Sequence, residues 1–238
     1  TLNGEGLQHE DGHSHLLAGA IPNCISYDPT FSFEVAVILQ DGVRRMLSEQ
    51  EDVYYYITLM NENYAHPDMP KGAEKGIIKG MYLLRDSGSG NGESSKAKAK
   101  AKNIPTVQLL GSGTILREVI AAADLLEAEF GVASTIWSCP GFNELRRDGF
   151  DVERWNRLHP MAKKPRQSWV AECLEDHAGP VVAATDYVRA YSDQIRAFIP
   201  NGRPFIALGT DGFGRSDSRT QLRGFFEVDR YWIAHAAI

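Results

Sequence analysis

The alternation of strand and helix patterns constrains the possible folds of this chain more than any other feature of its sequence. Residues 23–27 are apolar and end at an Asp-Pro turn, and residues 53–59 are aromatic and β-branched, so both are predicted as strands. Between them, apolar residues recur at helical spacing from Phe31 to Leu47, with Asp28 or Thr30 as a candidate N-cap. This order predicts a parallel βαβ unit with a right-handed crossover.

The second half of the chain repeats the alternation, which predicts an α/β fold with a doubly wound sheet. At its first strand-to-helix turn, Gly111 and Gly113 could indicate a nucleotide-binding loop. Leu116 stands where the dinucleotide motif requires its third glycine, so tight packing at this turn is the favoured interpretation. In this half the predicted strands are residues 107–113, 132–138, 181–186 and 205–211, and the predicted helices are residues 116–130, 188–198 and 218–226; a short helix at residues 75–81 is predicted in the first half.

Composition and charge exclude several classes of protein. The formal net charge of −6 argues against a general nucleic-acid binder. Cys24, Cys139 and Cys173 are widely spaced and odd in number, which favours reduced thiols in a cytoplasmic protein over a disulfide framework. The sequence has no signal peptide and no apolar run long enough to cross a membrane. Because the chain starts without Met and stops within an apolar stretch, we expect an internal fragment of a longer protein.

The stretch His9-Glu10-Asp11-Gly12-His13 matches the H-E-x-x-H motif of zinc hydrolases. In that motif the two histidines share one face of a stable helix, and the Glu acts as general base to a zinc-bound water. Asp11 and Gly12 are poor residues for a helix interior, and the preceding segment has the composition of a turn. The sequence therefore predicts a loop, and zinc hydrolysis remains the weaker alternative.

A low-complexity segment divides the chain. Residues 87–102 are rich in Gly and Ser and end in an alternating Lys-Ala run, a composition that does not bury enough apolar surface to order itself. We interpret residues 87–104 as a flexible linker between a first domain, residues 1–86, and a second domain, residues 105–238. The lysines could contact an acidic partner, but a solvated spacer is the favoured interpretation.

Two aromatic side chains follow the second predicted strand at its carboxyl end. Ligands bind at this edge of open parallel sheets, so Tyr64 and His66 are candidates for lining a substrate pocket. A surface loop with one stacked aromatic ring explains the same residues equally well.

Four stretches of the sequence resemble the homodimeric bacterial E1 components of pyruvate dehydrogenase, a family of transketolase-like thiamin diphosphate enzymes. They are residues 3–15, 21–29, 54–64 and 208–219, and the resemblance covers nearly the whole chain outside the 87–102 segment. It implies that residues 1–86 form the second half of a transketolase-like pyrimidine-binding domain. It also implies that residues 105–238 form a transketolase C-terminal-like doubly wound domain, truncated at its end.

The resemblance implies a function and a setting. The function is thiamin diphosphate-dependent oxidative decarboxylation of pyruvate, with reductive acetylation of the lipoyl group on the E2 acetyltransferase. The setting is a cytoplasmic homodimer in the multienzyme complex that follows glycolysis, with no nucleic-acid or membrane partner. The main residues for thiamin diphosphate and Mg²⁺ would lie outside this chain, so we assign no cofactor-binding or metal-binding residue and expect the fragment alone to be inactive.

The resemblance also assigns candidate site residues. An acidic residue and a histidine four positions apart project into the active site of the family, and Glu5 and His9 match that pair. On this interpretation His9 faces the reactive carbon of the thiazolium, and Glu5 lies beside the substrate. Arg215 and Asp217 are candidates for an interface near the mouth of the active site. The roles of Asp11, His13 and His15 are left open between indirect support of the site and contacts across the dimer.

Three alternatives stand beside this interpretation. The chain could belong to a transketolase-like enzyme that acts on a different 2-oxo acid or on a ketose. It could be a zinc hydrolase that uses His9, Glu10 and His13, or a non-catalytic α/β interaction domain.

Overall fold

A computed structural model describes residues 1–4, 6–86 and 104–238 of the chain. The candidate catalytic residue Glu5 and nearly all of the predicted linker, residues 87–104, lie outside the described residues.

The first half of the chain forms the predicted βαβ unit. Strands β1 (Cys24–Tyr27) and β2 (Tyr54–Ile57) pair in parallel, with Cys24 opposite Tyr54 and Tyr27 opposite Ile57. Helix α2 (Ser32–Val43) connects them and continues into a π-helical turn, Arg44–Ser48. Ile38 on this helix is completely buried, so the apolar face of α2 packs into the core as its amphipathic pattern predicted.

The predicted N-cap of helix α2 was wrong. The cap position is Phe31, and the Glu34 carboxylate reaches back to accept hydrogen bonds from the backbone N–H groups of Phe31 (2.8 Å) and Thr30 (2.5 Å). A Glu at the third helical position can satisfy these donors from inside the helix. Asp28 is therefore free to make contacts with residues distant in sequence, and the Thr30 hydroxyl donates to the Gly113 carbonyl oxygen at 2.6 Å.

The second sheet has five strands in the order β3-β5-β4-β6-β7 among the described residues. Strands β4 to β7 are parallel to their neighbours, and β3 is an antiparallel edge strand on β5. The order reverses at β4, which is the arrangement of a doubly wound sheet. The strands are β3 (Tyr82–Asp86), β4 (Thr106–Gly111), β5 (Ala133–Ser138), β6 (Val181–Ala184) and β7 (Phe205–Leu208).

Helices cover both faces of this sheet. On one face, helices α4 (Ile115–Leu125) and α9 (Arg230–Ala237) pack on side chains such as Leu109 and Val182. On the other face, helices α5 (Phe142–Leu158), α6 (Trp169–Leu174) and α7 (Ala190–Asp193) pack on side chains such as Leu110 and Ala183. Successive side chains of a strand point to opposite faces of the sheet, and helices cover both faces. Both sets of side chains are therefore buried, which explains why the strands have continuous apolar sequences. The remaining α-helices among the described residues are α1 (Ser14–Gly19), α3 (Glu74–Lys79) and α8 (Arg219–Phe225).

The structure differs from the sequence prediction in several elements. Strand β3 was not predicted, and it joins the second sheet although it precedes the predicted domain boundary at residue 86. Helices α5, α6 and α9 were not predicted either. The predicted helix at residues 188–198 is instead the short α7 followed by a 3₁₀ turn, Arg196–Phe198. The division into domains at residues 87–104 stays a prediction.

No helix in the described ranges combines the length and the apolar character that a membrane span requires.

Candidate active site

The stretch that matches H-E-x-x-H is not a helix. Leu7–His9 is a single 3₁₀ turn with an exposed His9, and helix α1 begins only at Ser14. His9 and His13 therefore do not share a helical face, as the zinc motif requires. Within the described residues, no group of three or more His, Cys, Asp or Glu side chains could hold a metal ion. The zinc-hydrolase alternative is not supported.

The loop that carries His9 is fixed by its neighbours at both ends. The Gly4 N–H donates to the Asp217 carbonyl oxygen at 2.9 Å, and the Arg219 N–H donates to Asn3 Oδ1 at 3.2 Å. At the other end, the Val188 N–H donates to the Gly12 carbonyl oxygen at 3.0 Å. These partners follow strands β6 and β7, so the carboxyl edge of the second sheet positions the loop.

Asp11 organises the entry into helix α1. Its Oδ1 accepts hydrogen bonds from the backbone N–H groups of His13 and Ser14, both at 3.0 Å, and its Oδ2 accepts from the Ser14 hydroxyl. Burial acts to raise the pKa of Asp11, but the bonds from Ser14 and His13 outweigh it and hold the pKa below its ordinary value. Asp11 thus stabilises the loop as an ionised group.

Residues 209–219 pack closely on the loop. A Cβ atom on Gly214 would overlap the side chain of Glu10, so only glycine allows this approach. Arg215 and Asp217 are both exposed: the Arg215 guanidinium lies 5.3 Å from the Phe225 ring centroid, and Asp217 contacts Gly4 through its backbone. Their predicted role at an interface stays a prediction.

His15 is the one histidine in the loop region that is completely buried. Its ring stacks on Tyr191 at a centroid distance of 4.8 Å and meets the edges of Tyr187 at 4.7 Å and Tyr56 at 5.5 Å. Burial lowers the pKa of His15 to about 4, although the negative charge of Asp11 acts in the opposite direction. The ring is therefore neutral near pH 7.

A chain of side chains leads from His15 into the core between the two sheets. His15 Nε2 lies 2.9 Å from Thr58 Oγ1, and the Thr58 hydroxyl donates to Asp28 Oδ1 at 2.8 Å. The Ser112 hydroxyl donates to Asp28 Oδ2 at 2.7 Å. Burial raises the pKa of Asp28 to about 7, and the two hydroxyl donors limit the rise. These residues come from α1, from the ends of β1 and β2, and from the turn after β4.

Glu34 is a second buried carboxylate between the sheets. Besides the two backbone donors at the start of α2, its Oε1 accepts from the Tyr82 hydroxyl at 2.7 Å and the Ser138 hydroxyl at 2.5 Å. Burial raises its pKa, and these four donors oppose the rise. The carboxylate joins α2 to strands β3 and β5.

Tyr64 and His66 contact each other and helix α2. Their rings stack at a centroid distance of 4.9 Å, and the Tyr64 hydroxyl donates to the Thr30 carbonyl oxygen at 2.5 Å. The Ser32 N–H lies in the first turn of α2 and has no acceptor within the helix; it donates instead to His66 Nδ1 at 3.1 Å. These contacts account for both residues structurally, and their role in a substrate pocket stays a prediction.

Glu62 links the segment after β2 to the second sheet. It accepts hydrogen bonds from Arg117 at 2.6 Å, Arg223 at 2.7 Å and Thr114 at 2.9 Å. Burial acts to raise the pKa of Glu62, but these donors outweigh it and lower the pKa to about 2. Arg219, whose side chain also donates to Asn61 at 2.7 Å, lies 3.5 Å from the same carboxylate.

A separate cleft of about 1000 Å³ lies beside the edge strand β3. Lys75, Trp169, Cys173 and His177 are among its lining residues, and none of the predicted site residues lines it.

The sequence predicted a site on the loop of residues 1–13 but gave no sign of the buried residues that contact this loop. Periodicity gives no sign that His15 is buried or that Asp28 meets Ser112, because those contacts join residues 43 and 84 positions apart. The one available signal was compositional: an Asp directly after a buried apolar strand lies at the carboxyl edge where sites form.

Two family models match the chain. The middle domain of the pyruvate dehydrogenase E1 component matches residues 1–67, and the transketolase-like TK C-terminal domain matches residues 94–229. The second match covers more than half of the chain, so the chain belongs to the transketolase-like family.

Three bacterial relatives carry the same name. The chain is 62% identical over 238 residues to the pyruvate dehydrogenase E1 component of Cupriavidus necator and 60% identical to that of Pseudomonas aeruginosa. It is 53% identical over 240 residues to that of Escherichia coli K12. Each alignment covers 100% of the chain and 25% of the relative, so the chain spans about a quarter of the length of these curated relatives. The predicted resemblance is confirmed.

Solved transketolases share the fold. The transketolase of Campylobacter jejuni superposes with a TM-score of 0.63 at 18% identity, over 98% of this chain and 29% of that one. The Leishmania mexicana enzyme gives a TM-score of 0.57 at 15% identity, over 99% of this chain and 28% of that one. The predicted transketolase-like fold is confirmed.

Proposed function

We propose that this chain is part of a pyruvate dehydrogenase E1 component. The full-length enzyme would carry out thiamin diphosphate-dependent oxidative decarboxylation of pyruvate and reductive acetylation of the lipoyl group of the E2 acetyltransferase. The observation that carries the proposal is the 62% identity to the Cupriavidus necator protein over all 238 residues.

The proposed role of His9 is acid–base chemistry at the reacting carbon. Its ring is exposed on the turn, so a ligand can reach it, and the hydrogen bonds at Gly4 and Gly12 hold the loop on either side. A histidine titrates near neutral pH and can donate a proton to an oxygen that becomes an alkoxide. Glu5, four residues earlier, is proposed to lie beside the substrate.

The described residues fit the organic part of thiamin diphosphate better than its diphosphate. Bound in the enzyme, the cofactor acts as the electron sink for decarboxylation. His15 Nδ1 is a buried ring nitrogen without a hydrogen-bond partner among the described residues, and it would accept a hydrogen bond from a donor group of the cofactor. We propose that residues outside this chain hold the diphosphate and Mg²⁺, and that the chain alone is inactive.

The proposal includes the setting of the enzyme. We propose a cytoplasmic homodimer that docks with the lipoyl domain and core of the E2 acetyltransferase, in the step after glycolysis. A structural neighbour is described as an inactive β4 tetramer of a split-gene transketolase, with a TM-score of 0.56 over 98% of this chain and 62% of that one. Size measurement of the full-length protein in solution tests the dimer.

The test of the function is thiamin-dependent reduction of an artificial electron acceptor by the full-length protein. We expect turnover with pyruvate that exceeds turnover with longer 2-oxo acids and disappears without thiamin diphosphate and Mg²⁺. Selective turnover with another 2-oxo acid or with a ketose would move the assignment within the transketolase-like family. A well-folded full-length protein that binds no thiamin diphosphate would contradict the proposal and favour a non-catalytic role.

A further inference from the structure

The two ring nitrogens of His15 have different surroundings. Nε2 lies 2.9 Å from the Thr58 hydroxyl oxygen. Nδ1 is buried and has no hydrogen-bond partner among the residues that the structure describes. In a neutral imidazole one nitrogen carries the proton and the other accepts, and the partner at one nitrogen decides which.

The Thr58 hydroxyl sends its only proton away from His15. The acceptors within reach are Asp28 Oδ1 at 2.8 Å and, less closely, the Tyr27 carbonyl oxygen at 3.4 Å, and the Tyr187 hydroxyl is also hydrogen-bonded to Thr58. Above the Asp28 pKa of about 7 the side chain is a carboxylate, and a carboxylate and a carbonyl oxygen only accept, so Thr58 donates to either one. The lone pairs of the Thr58 oxygen are then the only partner left for Nε2, and Nε2 must be the nitrogen that donates.

The side chains of His15, Thr58 and Asp28 form a hydrogen-bonded relay, and backbone hydrogen bonds hold Thr58 and Asp28 in place. The Thr58 N–H donates to the Tyr27 carbonyl oxygen at 3.1 Å, which continues the pairing of β1 and β2. The Asp28 N–H donates to the Pro140 carbonyl oxygen at 2.7 Å, and the Gly113 N–H donates to the Asp28 carbonyl oxygen at 3.0 Å. Groups held on strands and paired turns keep their geometry better than groups on free loops.

We propose that Asp28 and Thr58 are positioning residues that keep the proton of His15 on Nε2, so that Nδ1 presents a free lone pair to the ligand. The site then takes a hydrogen-bond donor at Nδ1, a hydroxyl or an amino group. A ligand carboxylate would face the lone pair of Nδ1 and be disfavoured there. The tautomer is a property of the chain itself, and both the presence and the identity of a ligand at Nδ1 rest on the proposed function.

The neutral state of the ring supports the tautomer assignment. Burial keeps His15 neutral near pH 7, so it holds a single ring proton that must be placed on one nitrogen or the other. In the opposite tautomer, the unprotonated Nε2 would face the oxygen of a hydroxyl whose proton is already engaged. Two acceptors would then meet without a proton between them, inside a cluster of tyrosine rings.

The first test reads the tautomer directly and needs no cofactor. The full-length protein is labelled with ¹⁵N-histidine, and solid-state NMR distinguishes a protonated from an unprotonated ring nitrogen. The His15 signals are those absent from the His15→Gln variant. At about pH 8, where Asp28 is ionised, we expect Nε2 protonated and Nδ1 unprotonated in the wild-type protein without cofactor. A protonated Nδ1 there would overturn the proposal, whatever the variants do.

The second test removes the hydroxyl of the relay. Thr58→Val keeps the shape of the side chain, and we expect a mixture of both His15 tautomers and a 10- to 100-fold lower kcat with little change in KM for pyruvate. Thr58→Ser restores the hydroxyl, and we expect the wild-type tautomer and a kcat within threefold of wild type. Thr135→Val removes a buried hydroxyl outside the relay and is the matched control, which we expect to leave both readouts unchanged.

The outcomes separate this proposal from the proposed function. A wild-type enzyme without pyruvate turnover, but with Nε2 protonated, would sink the assigned reaction and leave the tautomer relay standing. An active wild-type enzyme whose Thr58→Val variant keeps its kcat and its His15 tautomer would sink the relay alone. A folded Thr58→Val variant that Thr58→Ser does not rescue would also count against the relay, because packing would then explain the loss.

Discussion

At the scale of single residues, His9, the proposed acid–base group, lies on an exposed one-turn helix. We expect His9→Ala to lower kcat of the full-length enzyme by about 10²- to 10⁴-fold, the usual contribution of a positioned acid–base group. Binding of thiamin diphosphate should change much less, and both follow from steady-state kinetics with a cofactor titration. Gln8→Ala, on the same exposed turn, is the control and should stay near wild type. A His9→Ala enzyme within threefold of wild type would refute the role.

Glu62 allows a prediction of pH-dependent stability. Its pKa is about 2 in the folded chain and its ordinary value is 4.5, so its ion pairs stabilise the fold above pH 4.5 and this contribution is lost as pH falls from about 4.5 towards 2. We expect Glu62→Gln to lower the unfolding free energy at pH 7 by about 1–2 kcal/mol, because Arg223 is buried and loses the nearer of its two charged partners, Glu62 and Glu118.

Thermal unfolding of the full-length protein from pH 7 to pH 3 measures this effect. The difference between wild type and Glu62→Gln should shrink as the pH falls. Asp193→Asn, which removes an exposed ion pair with Arg196, is the control and should change little at any pH. A constant difference across this pH range would show that the charge of Glu62 is not what stabilises the fold.

Individual residues show where sequence reasoning stops. Asp28 has the residue type and place of a helix cap, and it was predicted as one. Its buried position depends on Ser112 and Thr58, and on Glu34 taking over the cap from inside the helix. Local spacing therefore predicted the helix correctly, whereas the role of Asp28 depended on contacts between distant parts of the chain.

At the scale of elements, the contact between residues 209–219 and the loop of residues 1–13 decides the geometry of the candidate site. We expect Gly214→Ala to lower kcat at least tenfold, because the added methyl group overlaps Glu10 and must push the two segments apart. The measurement is kcat of the full-length enzyme, with circular dichroism to check that the fold is kept. Ser216→Ala, exposed on the same segment, is the control. Equal activity of the two variants would show that the close contact between Gly214 and Glu10 does not set the geometry of the site.

Elements with a strong period were predicted well, and elements without one were missed. The apolar runs of β4 and β6 and the stripe of α4 are buried in the core and gave clear patterns. Helix α5 carries charged residues along most of its length, and β3 ends in Arg85 and Asp86, so neither resembles a core element. Their assignment depends on the surfaces they cover.

At the scale of the whole molecule, buried carboxylates join the two sheets. Glu34→Ala would leave the Tyr82 and Ser138 hydroxyls and two backbone donors without their acceptor. We expect an unfolding free energy lower by roughly 3–5 kcal/mol, the cost of breaking a buried polar network. Chemical denaturation of the full-length protein measures it. Glu74→Ala, in the exposed first turn of α3, should have little effect, and equal losses in both variants would show that Glu34 does not join the sheets.

The position of β3 has a consequence for how the chain is made. Tyr82–Asp86 pairs with β5, which lies after the whole of β4 and α4 in the sequence, so β3 leaves the ribosome well before its partner. At a synthesis rate of about 5–20 residues per second, the partner follows roughly 3–10 s later. During that interval an apolar strand with open hydrogen-bonding groups is exposed to other nascent chains. The charges of Arg85 and Asp86 at its end oppose such pairing, as charged residues do on natural edge strands.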